Sequence, residues 1–138
     1  MKLTKKIINK LAEPLDNCQL NVEDTVKITD QYPEMSWDEA YAVQENILQR
    51  KLSRGARLVG YKVGLTSHAK MHQMGVDSPI FGFLVDEYSV NEASIVDTNN
   101  LIHPKVEPEL CFITRDELSG PGCNVANVLA ACDLVLPG

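Results

Sequence analysis

The 138-residue sequence contains no apolar run approaching the ~20 residues that a membrane-spanning helix requires. Its first segment, MKLTKKIINKLAEPLD, carries lysines, but polar residues interrupt the apolar ones, so the continuous apolar core of a signal peptide is missing. Basic residues are in deficit: 13 Lys and Arg stand against 19 Asp and Glu, a net charge of −6. That balance disfavours nucleic acid and anionic membranes as partners, because both are recognised by basic faces. Cys18, Cys111, Cys123 and Cys132 show no CxxC spacing. They read as reduced thiols in a cytoplasmic protein, where free cysteine packs as a small hydrophobe. There is no internal repeat, low-complexity tract, Walker loop, GxSxG or GxGxxG. Phosphate-cradling loops and the nucleophile elbow are therefore not the source of any chemistry here.

What is present is the patterning of one ordinary globular chain, 44% hydrophobic and 23% charged. Residues 4–13 predict a short helix capped by Thr4, with Ile7, Ile8 and Leu11 in one stripe. A better-marked helix begins at the capping box Ser36–Glu39. It continues through Trp37, Ala40, Tyr41, Gln44, Ile47, Leu48 and Leu52 at helical spacing. Arg50, Lys51 and Arg54 complement its C-terminal dipole, and Gly55 supplies the exit. RLVGYKVGLT (57–66) and IFGFLV (80–85) read as strands, with a helix over 67–75 between them. NEASIVD reads as a loop and a short strand, HPKVEPELCFIT as an extended lead-in and a strand, and Asn124 as the cap of a helix reaching Cys132. LVLPG starts a last strand, and its abrupt end is the reason to expect a fragment of something longer. The fold class expected is mixed α/β (α+β). Residues 1–80 are expected to form a helical and α+β region, and 81–138 the start of a β-rich core, within one domain.

Four side chains carry the candidate chemistry. Glu107 and Glu109 stand at i and i+2 of an extended segment, which places both carboxylates on one face roughly 7 Å apart. Such a pair repels unless a cation or a proton intervenes, and hard divalent cations favour carboxylate oxygens. The alternative is a solvated strand edge bearing two surface acids. Pro108 between them removes a ladder donor and implies an edge or a bulge. Lys62 shares its strand face with Gly60 and Gly64. It stands either in an open slot, where its ammonium meets a carboxylate or carbonyl, or as a lysine snorkelling off an edge. Asp77, between Gly75 and Pro79, is either a general acid/base or a turn organiser. His68 and His72 have i, i+4 spacing but lack the HExxH glutamate, so they read as an exposed helix face.

Taken together, VGYKVGLTS, QMGVDSPIFGFL, HPKVEPEL and SGPGCNVANVLAACDLVLP occur in an order and at separations that resemble the hydratase/decarboxylase branch of the fumarylacetoacetate hydrolase superfamily. Within it, QYPEMSWDEAY, AKMHQMGVDSPIFGFL and LIHPKVEPEL resemble the decarboxylases more than the hydratases. The resemblance implies a β-roll-like core and a Mg²⁺ or Mn²⁺ ion held by three carboxylates. Glu107 and Glu109 match two of them; the third would follow the strand that ends this sequence. Lys62 and Asp77 match the family's lysine and acid. The implied substrate is the keto acid 2-oxohex-3-enedioate, which loses CO₂ to give 2-hydroxypenta-2,4-dienoate in aromatic meta-cleavage catabolism. Charge left at C5 would delocalise onto the C2 oxygen, where a divalent cation stabilises it. The alternatives are the 2-hydroxypenta-2,4-dienoate hydratase reaction, and a non-catalytic fragment or structural subunit. The resemblance further implies a homo-oligomer and a complex with a homologous hydratase.

Overall fold

The structure, a computed structural model, describes residues 3–138. Two compact units are present, one running to Ile102 and the other His103–Gly138. Both mix helix and strand, as the patterning predicts. The boundary expected at residues 80/81 falls on the first residue of a strand that pairs back into the first unit.

In the first unit, helix α1 is Lys5–Asn21, capped by the Thr4 hydroxyl, which accepts from the Ile7 amide. It runs eight residues beyond the end predicted at residue 13. Pro14 lies inside it and removes one amide donor, but tertiary packing outweighs that loss. Ala12 and Asp16 are both fully buried, and α1 lies against α3. A short turn, α2, is Ile28–Gln31. Helix α3 is Trp37–Ser53 and begins with the predicted capping box, the Ser36 hydroxyl accepting from the Glu39 amide while Glu39 accepts from the Ser36 amide. Glu39 also accepts from the Leu3 amide. The Ser36 and Leu3 amides together hold its carboxyl below the ordinary range. Removing the cap with Ser36→Ala is expected to lower unfolding free energy by about 1 kcal/mol, read as a lower urea midpoint at constant slope.

The basic residues at the end of α3 do more than complement its dipole. Asp16 is fully buried and receives Arg50 Nε at 2.9 Å and a two-pronged contact from Arg54, at 2.6 and 2.8 Å. Lys51 Nζ lies 3.8 Å from the same carboxylate and 3.2 Å from Glu87 Oε1, and sits 5.2 Å over the ring of Tyr88. The Arg54 guanidinium holds the Asp16 carboxyl below its ordinary value; burial opposes this, and Arg50 and Lys51 reinforce it. Burial pulls the Lys51 ammonium downward, but Tyr88 and Glu87 outweigh it and leave it raised. Tyr88 returns to α1 by donating to Gln19 Oε1 at 2.9 Å.

Strand β1 (Leu58–Gly64) and strand β2 (Ile80–Val85) form an antiparallel pair. They are joined through helix α4 (His68–Met74), which is capped by Ser67 and left through Gly75 at φ +68°. Arg57 and Asp86 close the open end of the pair, the Arg57 amide and Nε donating to the Asp86 carboxylate at 2.8 and 2.9 Å. Helix α3 holds β2 through Tyr41, whose ring stacks on Phe81 at 4.4 Å, and Gln44, whose Nε2 donates to the Phe81 carbonyl at 3.4 Å. The strand expected within NEASIVD is not formed. That segment turns at Ala93 (φ +60°) and continues into a 3₁₀ turn at Thr98–Asn100. Neither described ladder includes it, and Ile95 is 97% exposed, so its β-branched residues have nothing to pack against.

In the second unit, strand β3 (Leu110–Thr114) pairs antiparallel with strand β4 (Cys132–Pro137). Helix α5 (Val125–Ala131) precedes β4 and opens with a capping box between Asn124 and Asn127. Arg115 ties the parts together, its amide donating to the Ala131 carbonyl at 2.9 Å and its Nη2 to the Ala130 carbonyl at 3.0 Å. Ala131 is the buried residue among those described here, while Leu110, Phe112 and Val135 are exposed. All four cysteines are free thiols. No described helix is long and apolar enough to cross a membrane.

Candidate active site

Lys62 lies in the middle of β1, directly opposite Gly82 of β2. The register is regular from Gly60 to Gly64, so Gly60, Lys62 and Gly64 present one face. Their cross-strand partners Leu84, Gly82 and Ile80 present the same face. Tyr61 and Val63 take the other face, opposite Phe83 and Phe81. The sequence placed glycines beside Lys62 along its own strand. The third glycine, across the ladder, emerges only once the register is known. Lys62 itself is exposed.

Asp77 lies in the connection between α4 and β2, after the left-handed Gly75 and before Pro79. Its side chain is exposed on a bend. Met71 of α4 is buried and anchors the helix that leads into the bend. His68 and His72 are both exposed, as expected for the outer face of α4.

In the second unit, Glu107 and Glu109 precede β3 in extended chain. The strand begins at Leu110, but the ladder reaches one residue further. The Glu109 amide donates to the Gly138 carbonyl at 3.0 Å, and the Gly138 amide donates to the Glu109 carbonyl at 3.0 Å. Glu109 is thus held by its backbone at the end of the β3–β4 pair, across from a residue without a side chain. Pro108 sits where its missing donor costs no ladder bond; the irregularity in the pair is between Ile113 and Thr114 instead. Both glutamates are exposed. Among the described residues, no group of three or more His, Cys, Asp or Glu converges to hold a metal ion. The donors that Glu107 and Glu109 offer are hard carboxylate oxygens. This chemistry fits Mg²⁺, which commonly takes one or two protein carboxylates and completes its shell with water or substrate.

Sequence reasoning did not single out Gln44 as other than a member of the α3 stripe, yet its amide is positioned over β2. A Cβ on Gly82 would meet Gln44 Oε1 at 3.7 Å. Gln44 therefore lies beside Gly82, the cross-strand partner of Lys62. The one available signal was a polar residue interrupting an otherwise apolar helical stripe.

No protein-family model matches the chain. Known proteins do. The chain is 52% identical over 135 residues to the 4-oxalocrotonate decarboxylase of Pseudomonas sp. (strain CF600), covering 98% of this chain and 51% of that one. It is 36% identical over 137 residues to the 2-hydroxypent-2,4-dienoate hydratase of Pseudomonas putida, covering 98% of this chain and 61% of that one. A solved structure, 4-oxalocrotonate decarboxylase from Pseudomonas putida G7 complexed with magnesium and adipate, matches with a TM-score of 0.94 at 49% identity. That match covers 99% of this chain and 52% of the other. In sequence and fold the chain is thus similar to 4-oxalocrotonate decarboxylases and, less closely, to hydratases. Two 4-oxalocrotonate decarboxylases match at 52% and 47% identity and a third at 35%, against 36% for the hydratase. The chain spans about half the length of the curated relatives it matches.

Proposed function

We propose that this chain contributes to a metal-dependent decarboxylase that converts 2-oxohex-3-enedioate to 2-hydroxypenta-2,4-dienoate. The observation that carries the reading is the 52% identity to a 4-oxalocrotonate decarboxylase across 98% of the chain. The relative of known structure that holds magnesium and adipate, a six-carbon dicarboxylate, supports both the divalent cofactor and the substrate class.

Glu107 and Glu109 would hold Mg²⁺ or Mn²⁺, with the Glu109 backbone fixed by its two hydrogen bonds to Gly138. A bound ion supplies positive charge to the oxygen on which the electrons released with CO₂ accumulate. Lys62 pairs with a substrate carboxylate and offsets its charge in a protein that is acidic as a whole. Asp77, held on the bend before β2, orients the lysine subsite or moves a proton. The four free thiols fit a reducing cytoplasm. A homo-oligomer or a complex with a homologous hydratase belongs to the same reading.

The test is loss of the ultraviolet absorbance of 2-oxohex-3-enedioate by the full-length encoded protein, with Mg²⁺ present and after chelation. Magnesium-dependent loss with release of CO₂ is expected. Lys62→Met is expected to lower kcat/KM by about a hundredfold. If the protein instead hydrates 2-hydroxypenta-2,4-dienoate and leaves the dicarboxylate untouched, the hydratase reading replaces this one. Turnover of neither would leave a structural subunit.

A further inference from the structure

Gly82 has no structural reason to be glycine within its own unit. Its backbone is not among the positive-φ glycines, which are Gly55, Gly75, Gly120 and Gly122. Among the described residues, a Cβ there would meet only Gln44 Oε1, at 3.7 Å, an ordinary van der Waals contact. Glycine in a strand interior sacrifices backbone entropy and packing, and its presence there marks a bulge, a bend or the close approach of another group. The register excludes a bulge at this point, since Tyr61↔Phe83, Lys62↔Gly82 and Val63↔Phe81 run without a shift.

What Gly82 does have is its place in the ladder. It is the direct partner of Lys62, so a side chain at 82 would rise beside the lysine stem on the same face, with Cβ atoms about 5 Å apart. Gln44 Oε1 lies over that same bare spot from the α3 side. Gln44 keeps its place through its Nε2 bond to the Phe81 carbonyl, one residue away from Gly82. Ile80 and Leu84 occupy the diagonal positions on the face and wall the space with apolar groups. The result is a notch in the side-chain surface, a stretch of bare backbone beside the Lys62 stem and near the Gln44 amide.

We infer that Gly82 is a specificity-determining residue: its missing side chain lets the distal carboxylate of a dicarboxylate substrate reach Lys62. The inference rests on the role proposed above for Lys62. It goes beyond that role by naming which end of the substrate is read there, and which neighbour admits it. An alanine at 82 would fill the notch and leave the strand pairing intact.

The test uses the full-length protein and two probes, adipate and 2-oxopentanoate, the second lacking the distal carboxylate. Dissociation constants are measured by calorimetry in the presence of Mg²⁺, with thermal midpoints recorded in parallel. Gly82→Ala is expected to weaken adipate roughly tenfold or more, to change 2-oxopentanoate little, and to leave the midpoint unchanged or higher. Unchanged adipate binding overturns the inference. So does an equal loss for both probes, or a lower midpoint, since either would mean that glycine serves packing rather than recognition. Lys62→Met separates the two layers of the argument. If it leaves adipate binding intact, the proposed role of Lys62 itself fails. If it weakens adipate while Gly82→Ala does not, only the notch fails.

Discussion

Glu109→Gln, and independently Glu107→Gln, are expected to reduce kcat/KM of the full-length protein by a factor of about a thousand, the equivalent of several kcal/mol of transition-state stabilisation from a bound ion. Glutamine keeps the shape of the side chain but replaces a charged oxygen donor with a neutral amide, and a divalent cation holds neutral ligands far less well. Stability is recorded in parallel by urea unfolding, so that loss of metal binding is separated from loss of fold. Mn²⁺ titration followed by electron paramagnetic resonance reads the metal directly. The variants should lose tight Mn²⁺ binding while their circular dichroism is unaltered. Parental activity should vanish with a chelator and return with added Mg²⁺. Retention of tight Mn²⁺ binding by both variants would sink the assignment of these two carboxylates, whatever happened to turnover.

The second large effect is on folding. Asp16→Asn is expected to cost about 3 kcal/mol of stability at neutral pH, because it leaves buried cations without the carboxylate that compensates them. Lys51, 2% exposed, cannot turn to water; Arg50 and Arg54, at 35% and 37%, can do so partly, which keeps the cost at the lower end of the range for broken buried pairs. The pH dependence carries the diagnostic sign. Asp16 is depressed below its ordinary value of 3.8, so its contribution is present in full above that value and is lost as pH falls through the depressed folded value. The gap between parent and Asp16→Asn in urea unfolding should therefore be constant from neutrality to about pH 5 and close below pH 4. A variant as stable as the parent, or a gap that ignores acid, would refute the clamp between α1 and α3.

Lys51 titrates at the other extreme. Its raised folded value means that its share of the clamp is present below the ordinary 10.5 and is lost only as pH rises through that higher value. Between the acid and alkaline limits the Asp16–Lys51 pair is fully charged. Its contribution there does not vary with pH.

Much of the architecture was legible because it is encoded locally. Ser36 and Glu39 define the start of α3 through a three-residue hydrogen-bond exchange, which needs no distant partner. Gly75 ends α4 because its φ of +68° is one that glycine adopts without penalty. The apolar run IFGFLV became β2 with the predicted bounds. Local encoding also explains the failures. Pro14 is a sound local reason to stop α1, but the burial of Ala12 and Asp16 against α3 carries the helix on to Asn21. Ile95 and Val96 favour extended chain, yet a strand needs a partner, and the described ladders supply none.

The same division runs through the candidate site. Residue order alone singled out the candidate side chains: the ExE carboxylates, a lysine between glycines and an acid before Pro79. Alternation along a strand was enough to put Gly60 and Gly64 beside Lys62. Only the tertiary structure decided what faces them across the chain: Gly82 opposite Lys62, Gln44 over that glycine, and Gly138 against the backbone of Glu109. It also decided that Arg50 and Lys51 of α3, with Arg54 just after it, converge on one buried aspartate of α1. The physical reason is the range of the interactions. Caps, turns and periodicity act over a few residues and are written in their order, whereas strand register and the compensation of buried charge join residues far apart in sequence and exist only once the chain has closed on itself.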